Sequence, residues 1–144
     1  DAVVARGQLS KTIDLHLTLD GDEISKYRAD GLLFSTPTGS TAYSLSAGGP
    51  ILAPKMECIL MTPVCPHSLF SRSVLFSGAS ELSVHVKIPE ECCCVLTIDG
   101  EKNVPVLATD RVVIRKSDLK LKLALLHNRN FYKLLNEKLK ERDF

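Results

Sequence analysis

The chain has 144 residues, of which 44% are hydrophobic and 24% are charged, and its formal net charge is +1. This length and composition fit one globular domain with a sizeable core and argue against disorder, collagen or a coiled coil as the main plan. The balanced charge argues against a strongly basic nucleic-acid binder, because phosphate contacts require clustered Lys and Arg.

Alternating apolar and polar residues predict a chain built mostly of short strands. In residues 13–19 leucine and isoleucine alternate with polar residues, and Asp20-Gly21 then predicts a turn into a partner strand at 23–27. Further strands are predicted at 32–34, 59–61, 74–76, 82–88, 95–98, 112–114 and 119–125. Many short strands separated by turns are typical of a β-sandwich-like domain with two sheets.

Two segments are predicted to be helical. The first, 41–47, is short, with Ser40 or Thr41 as the expected N-cap and Gly48 as the expected end. The second is a C-terminal amphipathic helix capped by Asn130, with its apolar stripe at Phe131, Leu134, Leu135 and Leu139. The predicted fold class is therefore mainly β, with a short helix after the TPTGSTAY loop and an amphipathic helix at the C-terminus.

The cysteines and the chain start bear on the setting of the protein. Five cysteines, three of them adjacent at 92–94, form a poor disulfide framework and lack Cys-x-x-Cys spacing, which predicts reduced structural thiols in a cytoplasmic protein. No apolar run approaches the roughly 20 residues of a membrane helix, and no signal peptide is visible. The chain opens on Asp1 rather than Met, which predicts that it is the interior of a longer protein.

One stretch of the sequence, residues 28–50, carries a pattern suited to chemistry. An apolar strand runs into a loop with six hydroxyl residues between positions 35 and 44, and Gly39 permits a close backbone approach. A helix start beyond the loop presents N–H groups that suit a phosphate, and Tyr43 offers a ring for a base. Arg28 and Asp30 offer charge for a phosphate and acceptors for ribose hydroxyls. These features together predict a nucleotide site.

The alternative interpretation of this stretch is an ordinary surface loop rich in Ser and Thr. The sequence contains neither the Gly-Lys-Ser/Thr step of a P-loop nor a Gly-x-Gly-x-x-Gly dinucleotide fingerprint. It also lacks a Gly-x-Ser-x-Gly nucleophile elbow. The residues alone leave both interpretations open.

Residues 36–50, which read TPTGSTAYSLSAGGP, resemble the signature of the NAD kinases, and Asp30-Gly31, Pro66-His67 and Asp99-Gly100 fit the same family. The resemblance runs the length of the chain. It implies a β-rich sandwich that carries much of an NAD site. It also implies that the full-length protein phosphorylates the adenosine-ribose 2′-hydroxyl of NAD, with ATP or polyphosphate as donor and a divalent metal, Mg²⁺.

The resemblance further implies which residues contact NAD. Asp1 matches the acidic residue of the family's Asn-Glu or Asn-Asp pair, which touches the adenine or ribose, and Arg28 and Asp30 fall near the nicotinamide end. The NAD-binding positions assigned in this way are Asp1, Lys11, Arg28, Asp30, Thr41, Ala42, Tyr43, Ser44, Leu45 and Ser46. No metal ligand is assigned. The family also implies a homodimer or homotetramer in which the β-domains meet and the NAD pocket forms between subunits.

The Gly-Gly-Asp-Gly motif of the family, whose Asp is the expected general base, does not occur in these residues. Residues 1–144 are therefore expected to be the C-terminal NAD-binding domain, inactive alone, with the catalytic residue in an upstream α/β domain. One alternative is a non-catalytic nucleotide-binding or oligomerisation module with a β-sandwich fold. Another is a lipid kinase of the diacylglycerol or sphingosine type, against which the intact TAYSLS run argues.

Overall fold

A computed structural model describes residues 1–7, 11–68, 71–87, 93–120, 122, 124 and 130–140. Within these ranges the strands are β1 (Ala2–Arg6), β2 (Ile13–Leu19), β3 (Asp22–Ala29), β4 (Gly31–Ser35), β5 (Cys58–Val64), β6 (Val74–Ser77), β7 (Leu82–Lys87), β8 (Cys94–Ile98), β9 (Lys102–Val106) and β10 (Arg111–Ile114). The helices are a 3₁₀ helix at Thr38–Thr41, α1 (Tyr43–Ser46) and α2 (Phe131–Lys140).

The strands form two antiparallel sheets. One has six strands in the order β6-β5-β4-β1-β8-β9, and the other has four in the order β10-β7-β2-β3. β1 lies in the middle of the larger sheet, where Ala2 pairs with Phe34 on one side and Ile98 on the other. The β2–β3 turn uses Asp20 and Gly21, both with positive φ, as a tight hairpin requires. The predicted mainly β, two-sheet fold is confirmed.

The core lies between the two sheets because the alternating apolar residues of each sheet face inward. Its residues from the four-stranded sheet include Leu15, Leu17 and Val84, and those from the six-stranded sheet include Phe34 and Met61. Burying a side chain of this size contributes roughly 1.5–3 kcal/mol. Removal of these apolar side chains from water thus holds the sheets face to face.

The six-stranded sheet is also covered on its outer face. All five residues of β4 are buried, although only alternate ones, such as Leu32, can point into the core. The 3₁₀ helix and α1 both contact β4, and α1 lies on the other face, since its Ser44 bonds Thr62 of β5, the register partner of Leu33. Coverage on both faces explains why residues 32–34 form an uninterrupted apolar run.

Two strands escaped the sequence prediction, and one prediction was wrong in part. In β1 apolar and polar residues do not alternate, because β1 lies centrally in a sheet with two covered faces. β9 carries Pro105, which is tolerated because β9 is an edge strand. Residues 119 and 120 form no strand, and Leu119 is 89% exposed. Residues 121, 123 and 125 of that prediction lie outside the described part of the chain.

The C-terminal helix is confirmed. The side-chain oxygen Oδ1 of Asn130 accepts hydrogen bonds from the backbone N–H groups of Tyr132 and Lys133, at 2.9 and 3.3 Å.

The predicted cap of the short helix is wrong. Residues Pro37 and Ala42 occupy the two N-cap positions and supply no side-chain hydrogen bond. Neither proline nor alanine has a polar side-chain atom that could cap a helix. The prediction also missed the break at Ala42, which separates the 3₁₀ helix from α1.

Candidate functional site

Hydrogen bonds within the loop of residues 36–50 and to residues beside it hold this loop in place. The hydroxyl of Ser40 donates to the carbonyl of Pro37 at 2.6 Å and accepts from the N–H of Leu52 at 3.0 Å, which ties both ends of the loop together. α1 ends at Ser46, and its C-cap Ala47 is followed by Gly48, whose φ of +86° is favourable only for glycine. The N–H of Gly48 then bonds the carbonyl of Leu45, and that of Gly49 bonds the carbonyl of Ser44, as in a Schellman motif. The predicted end of this helix is confirmed.

Beside this loop lies a cavity of about 540 Å³, which we call the Tyr43 pocket. Its lining residues are Asp1, Val3, Ala5, Gly39, Ala42, Tyr43, Thr97, Asp99 and Gly100. The floor comes from β1 and β8, where Val3 and Thr97 are direct partners across the sheet. Tyr43 forms part of the wall and is 48% exposed. An apolar floor beside a ring and a carboxylate suits a flat, partly polar ligand.

A second cavity of about 510 Å³, which we call the Arg28 pocket, lies at the far end of β2 and β3. Its lining residues are Lys11, Thr12, Asp14, Arg28, Asp30, His67 and Lys87. Three of these side chains are cationic and two are carboxylates. β1 links the two pockets, because Ala5 lines the first and Arg6, the next residue, pairs with Asp30 of the second.

Both carboxylates of the Arg28 pocket are held by arginines. Arg28 donates from Nε and Nη2 to the two carboxylate oxygens of Asp14, at 2.8 and 3.0 Å. Arg6 binds Asp30 in the same bidentate way, with Nε 2.7 Å from Oδ1 and Nη2 3.2 Å from Oδ2. The hydrogen bond from Arg28 lowers the pKa of the Asp14 carboxyl, so this ion pair persists below the ordinary pKa of aspartate. The paired carboxylates fix the two arginine side chains in direction.

The structure divides the sequence-predicted NAD-binding residues among several places. Asp1, Ala42 and Tyr43 line the Tyr43 pocket, and Lys11, Arg28 and Asp30 line the Arg28 pocket. Thr41 instead faces the apolar side of α2 across a small cavity of about 250 Å³. On α1, Leu45 is half-buried and Ser46 is exposed, whereas Ser44 is fully buried. The hydroxyl of Ser44 thus faces the protein interior.

Sequence reasoning missed several residues of the two pockets. Val3, Ala5 and Thr97 were not singled out because ordinary strand residues carry no local signal of a pocket floor. Asp14 and Lys87 were interpreted only as the polar sides of alternating strands, although they are direct partners across β2 and β7. Their role depends on strand pairing, which the local sequence does not reveal.

The four described cysteines, Cys58, Cys65, Cys93 and Cys94, are free thiols, as predicted, and Cys92 lies outside the described residues. Burial raises the pKa of the Cys94 thiol to about 11, so this group stays protonated and unreactive at neutral pH.

Of the helices in the described ranges, none is both long and apolar enough to cross a bilayer.

Sequence comparison finds relatives along nearly the whole chain. An NAD kinase of Magnetococcus marinus is 41% identical over 139 residues, which are 96% of this chain and 46% of that protein. An NAD kinase of Carboxydothermus hydrogenoformans is 40% identical over 141 residues, which are 98% of this chain and 50% of that protein. The chain therefore spans about half the length of the curated relatives it matches.

Solved structures give the same picture. Yeast NADH kinase, crystallised with NADH, superposes with a TM-score of 0.81 at 27% identity, over 99% of this chain and 44% of that one. An NAD kinase from Archaeoglobus fulgidus in complex with ATP has a TM-score of 0.73 at 30% identity, over 81% of this chain and 44% of that one. Residues 1–126 match the ATP-NAD kinase C-terminal domain. This chain belongs to that family.

Proposed function

We propose that this chain is the C-terminal, NAD-binding half of an NAD kinase. The observation that carries the proposal is the Tyr43 pocket, where the TPTGSTAYSLSAGGP loop places an exposed ring beside Asp1 in a chain of this family. In the full-length protein the reaction transfers a phosphoryl group from ATP or polyphosphate to the adenosine-ribose 2′-hydroxyl of NAD, which gives NADP. The direct test is NADP formation by the full-length protein with NAD, ATP and Mg²⁺.

The two pockets suggest how NAD lies along the domain. We assign the adenosine end to the Tyr43 pocket, where the ring of Tyr43 offers a stacking surface and Asp1 offers acceptors for hydroxyls. The nicotinamide end goes to the Arg28 pocket, with Arg28, Asp30 and Lys11. In this pocket the bidentate pair with Asp14 holds the guanidinium of Arg28 in one direction.

The metal and most of the ATP site are assigned to the upstream half of the protein. Among the residues that the structure describes, no three His, Cys, Asp or Glu side chains cluster closely enough to hold a metal ion. The donor set of the described residues therefore does not fit a resident metal, and no step is assigned through one here. A cytoplasmic location agrees with the free thiols of the described cysteines.

A non-catalytic nucleotide-binding or assembly module is the alternative, favoured by the missing Gly-Gly-Asp-Gly motif. The residues encoded before Asp1 decide between the two functions. An Asn directly upstream and a Gly-Gly-Asp-Gly motif further upstream would support the kinase. Their absence would leave the module, with NAD binding but no NADP formation.

Tyr43→Ala in the full-length protein should weaken NAD binding about 5- to 150-fold, because stacking of a base on an aromatic ring contributes roughly 1–3 kcal/mol. Tyr43→Phe keeps the ring and should bind NAD almost as the wild type does. Since the Tyr43 side chain is half-exposed, thermal unfolding without ligand should shift little in either variant. Calorimetry measures both affinities, and a wild-type affinity for Tyr43→Ala would contradict the placing of the adenine.

The full-length protein should be a dimer or a tetramer. Large apolar side chains are exposed on both sheets, including Val104 and Val113, and Leu134 of α2 is 37% exposed. The apolar stripe of α2 is partly occupied by its own chain, since it faces Thr41. Light scattering measures the mass, and a monomer across micromolar concentrations would contradict the prediction.

A further inference from the structure

Three hydroxyl groups form a chain between α1, which carries Tyr43, and strand β5. The Oγ of Ser44 lies 2.9 Å from the Oγ1 of Thr62, and Ser73 donates from its Oγ to the same Thr62 oxygen at 3.2 Å. Ser44 is fully buried and Thr62 is 1% exposed. This hydroxyl chain joins α1 to β5 and to the residue before β6, so it anchors the loop to the six-stranded sheet.

Thr62 is the centre of the chain because it bonds both neighbours. It accepts a hydrogen from Ser73, which leaves its own hydroxyl hydrogen available to Ser44. Loss of the Thr62 hydroxyl would remove the side-chain partner of Ser44 in a site that water does not reach. A buried hydroxyl without a partner is costly, so the local structure would shift to find another one.

The backbone around Gly49 is shaped to admit this contact. A Cβ at position 49 would lie 2.8 Å from the Oγ1 of Thr62 and would overlap the Oγ of Ser44. Position 49 therefore requires glycine because neighbouring atoms approach closely. Backbone conformation is not the reason, because the φ of Gly49 is not in the left-handed region. The second glycine of the Gly48-Gly49 pair makes room for the hydroxyl bond.

The direction of Tyr43 depends on the same contact. α1 has four residues, and a helix this short is not stable without outside contacts. Tyr43 and Ser44 are consecutive, so they point to different sides of the turn, and the bond that draws Ser44 inward turns the ring of Tyr43 outward. The burial of the two side chains agrees, because Ser44 is 0% and Tyr43 is 48% exposed.

We infer that Thr62 is a positioning residue for NAD binding, which acts through Ser44 to hold the ring of Tyr43 at the pocket. The inference rests on the proposed function and deepens it. Ser44 then serves the site through its buried side chain, and Thr62 contributes to the site from strand β5, although neither residue lines the Tyr43 pocket.

The test uses the full-length protein and Thr62→Val, which keeps the side-chain shape and removes the hydroxyl. NAD affinity by calorimetry should fall about 2- to 12-fold, the equivalent of about 0.5–1.5 kcal/mol for one hydrogen bond. Thr62→Ser keeps the hydroxyl and should restore most of the affinity. Should Thr62→Val not yield folded protein, Ser44→Ala removes the other partner of the same bond and is measured instead.

A double-mutant cycle separates positioning from general stabilisation. If Thr62 acts through Tyr43, Thr62→Val should cost no further NAD affinity in a protein that already carries Tyr43→Ala. In steady-state kinetics the effect should fall on KM for NAD rather than on kcat. A purely structural role would instead lower the active fraction, which reduces the calorimetric stoichiometry and kcat while the NAD affinity of the folded molecules stays unchanged.

The outcomes distinguish this inference from the proposed function. Wild-type protein that binds no NAD would overturn the proposed function itself. Wild-type protein that binds NAD, with Thr62→Val binding equally well, would overturn the inference alone. Effects of Thr62→Val and Tyr43→Ala that multiply independently would also overturn it, because Thr62 would then not act through the ring.

Discussion

Purified alone and supplied with NAD, ATP and Mg²⁺, the chain of residues 1–144 should form NADP at least about 10²–10⁴-fold more slowly than the full-length protein. This range is the usual contribution of a positioned general base to proton transfer. The motif expected to supply the base is not in the sequence. The chain should nevertheless retain part of the NAD site, so weak NAD binding without turnover is the expected combination.

The carboxylates near the pockets are poorly suited to replace the missing base. Asp30 is engaged in a bidentate ion pair with Arg6. The hydrogen bond from the N-terminal ammonium of this chain lowers the pKa of Asp99, which makes it a weaker base. A general base works best with a pKa near the operating pH. Asp30 and Asp99 are thus poor substitutes for that base.

The measurement is NADP formation followed by a coupled enzyme assay, with the full-length protein as the positive control under identical conditions. Calorimetry of the same preparation with NAD shows that the chain is folded and able to bind. Turnover by the chain alone at about one per second or more, a rate typical of enzymes, would contradict the two-part assignment.

Gly31→Val should lower the free energy of unfolding by about 3 kcal/mol, the upper end of the usual cost of overpacking. Gly31 pairs with Ala5 on one side and Val64 on the other, in the centre of the six-stranded sheet. A Cβ at this position would lie 2.6 Å from the carbonyl oxygen of Val4 and 2.9 Å from the Cβ of Ala5. Because the nearest atom belongs to the backbone, β1 itself would have to move.

Urea denaturation of the chain measures this effect, once fluorescence and circular dichroism give coincident transitions. Gly31→Ala should be less destabilising than Gly31→Val, because it adds one carbon instead of three. Lys102→Val is the matched control, since it adds the same side chain to the exposed edge strand β9 and should change stability by less than about 0.5 kcal/mol. Equal stability of Gly31→Val and wild type would refute the close approach of β1 and β4.

Gly31 also illustrates how far the sequence could predict this site. The Asp30-Gly31 step belongs to the pattern that resembles the NAD kinases. Its first residue, Asp30, lines the Arg28 pocket. The role of the glycine depends on Ala5, which lies across the sheet and far away in sequence. Contacts made by strand pairing have no local signature, so the residue type was noticed and its packing reason was not.

The β2–β3 hairpin and the loop of residues 36–50 were more predictable, because their signals are local. Alternation over 13–19 and the Asp20-Gly21 turn predict β2 and β3 without knowledge of the rest of the chain. Ser44 is the opposite case. Its place in the loop was evident, yet the choice between facing a ligand and facing Thr62 is made by tertiary packing. Local sequence predicts elements and turns, while side-chain direction requires the assembled sheets.

The central place of β1 has a consequence for how this domain folds. β1 is the first strand of the chain, yet it pairs with β4 and with β8, whose last residue, Ile98, opposes Ala2. Pairings so distant in sequence demand a large loop-closure entropy before they contribute any stability, and chains dominated by them fold slowly. During synthesis, residues 2–6 cannot complete their pairing on the β8 side until residue 98 has left the ribosome. The floor of the Tyr43 pocket, which β1 and β8 build together, is thus completed late in folding, after the β2–β3 hairpin has had time to form.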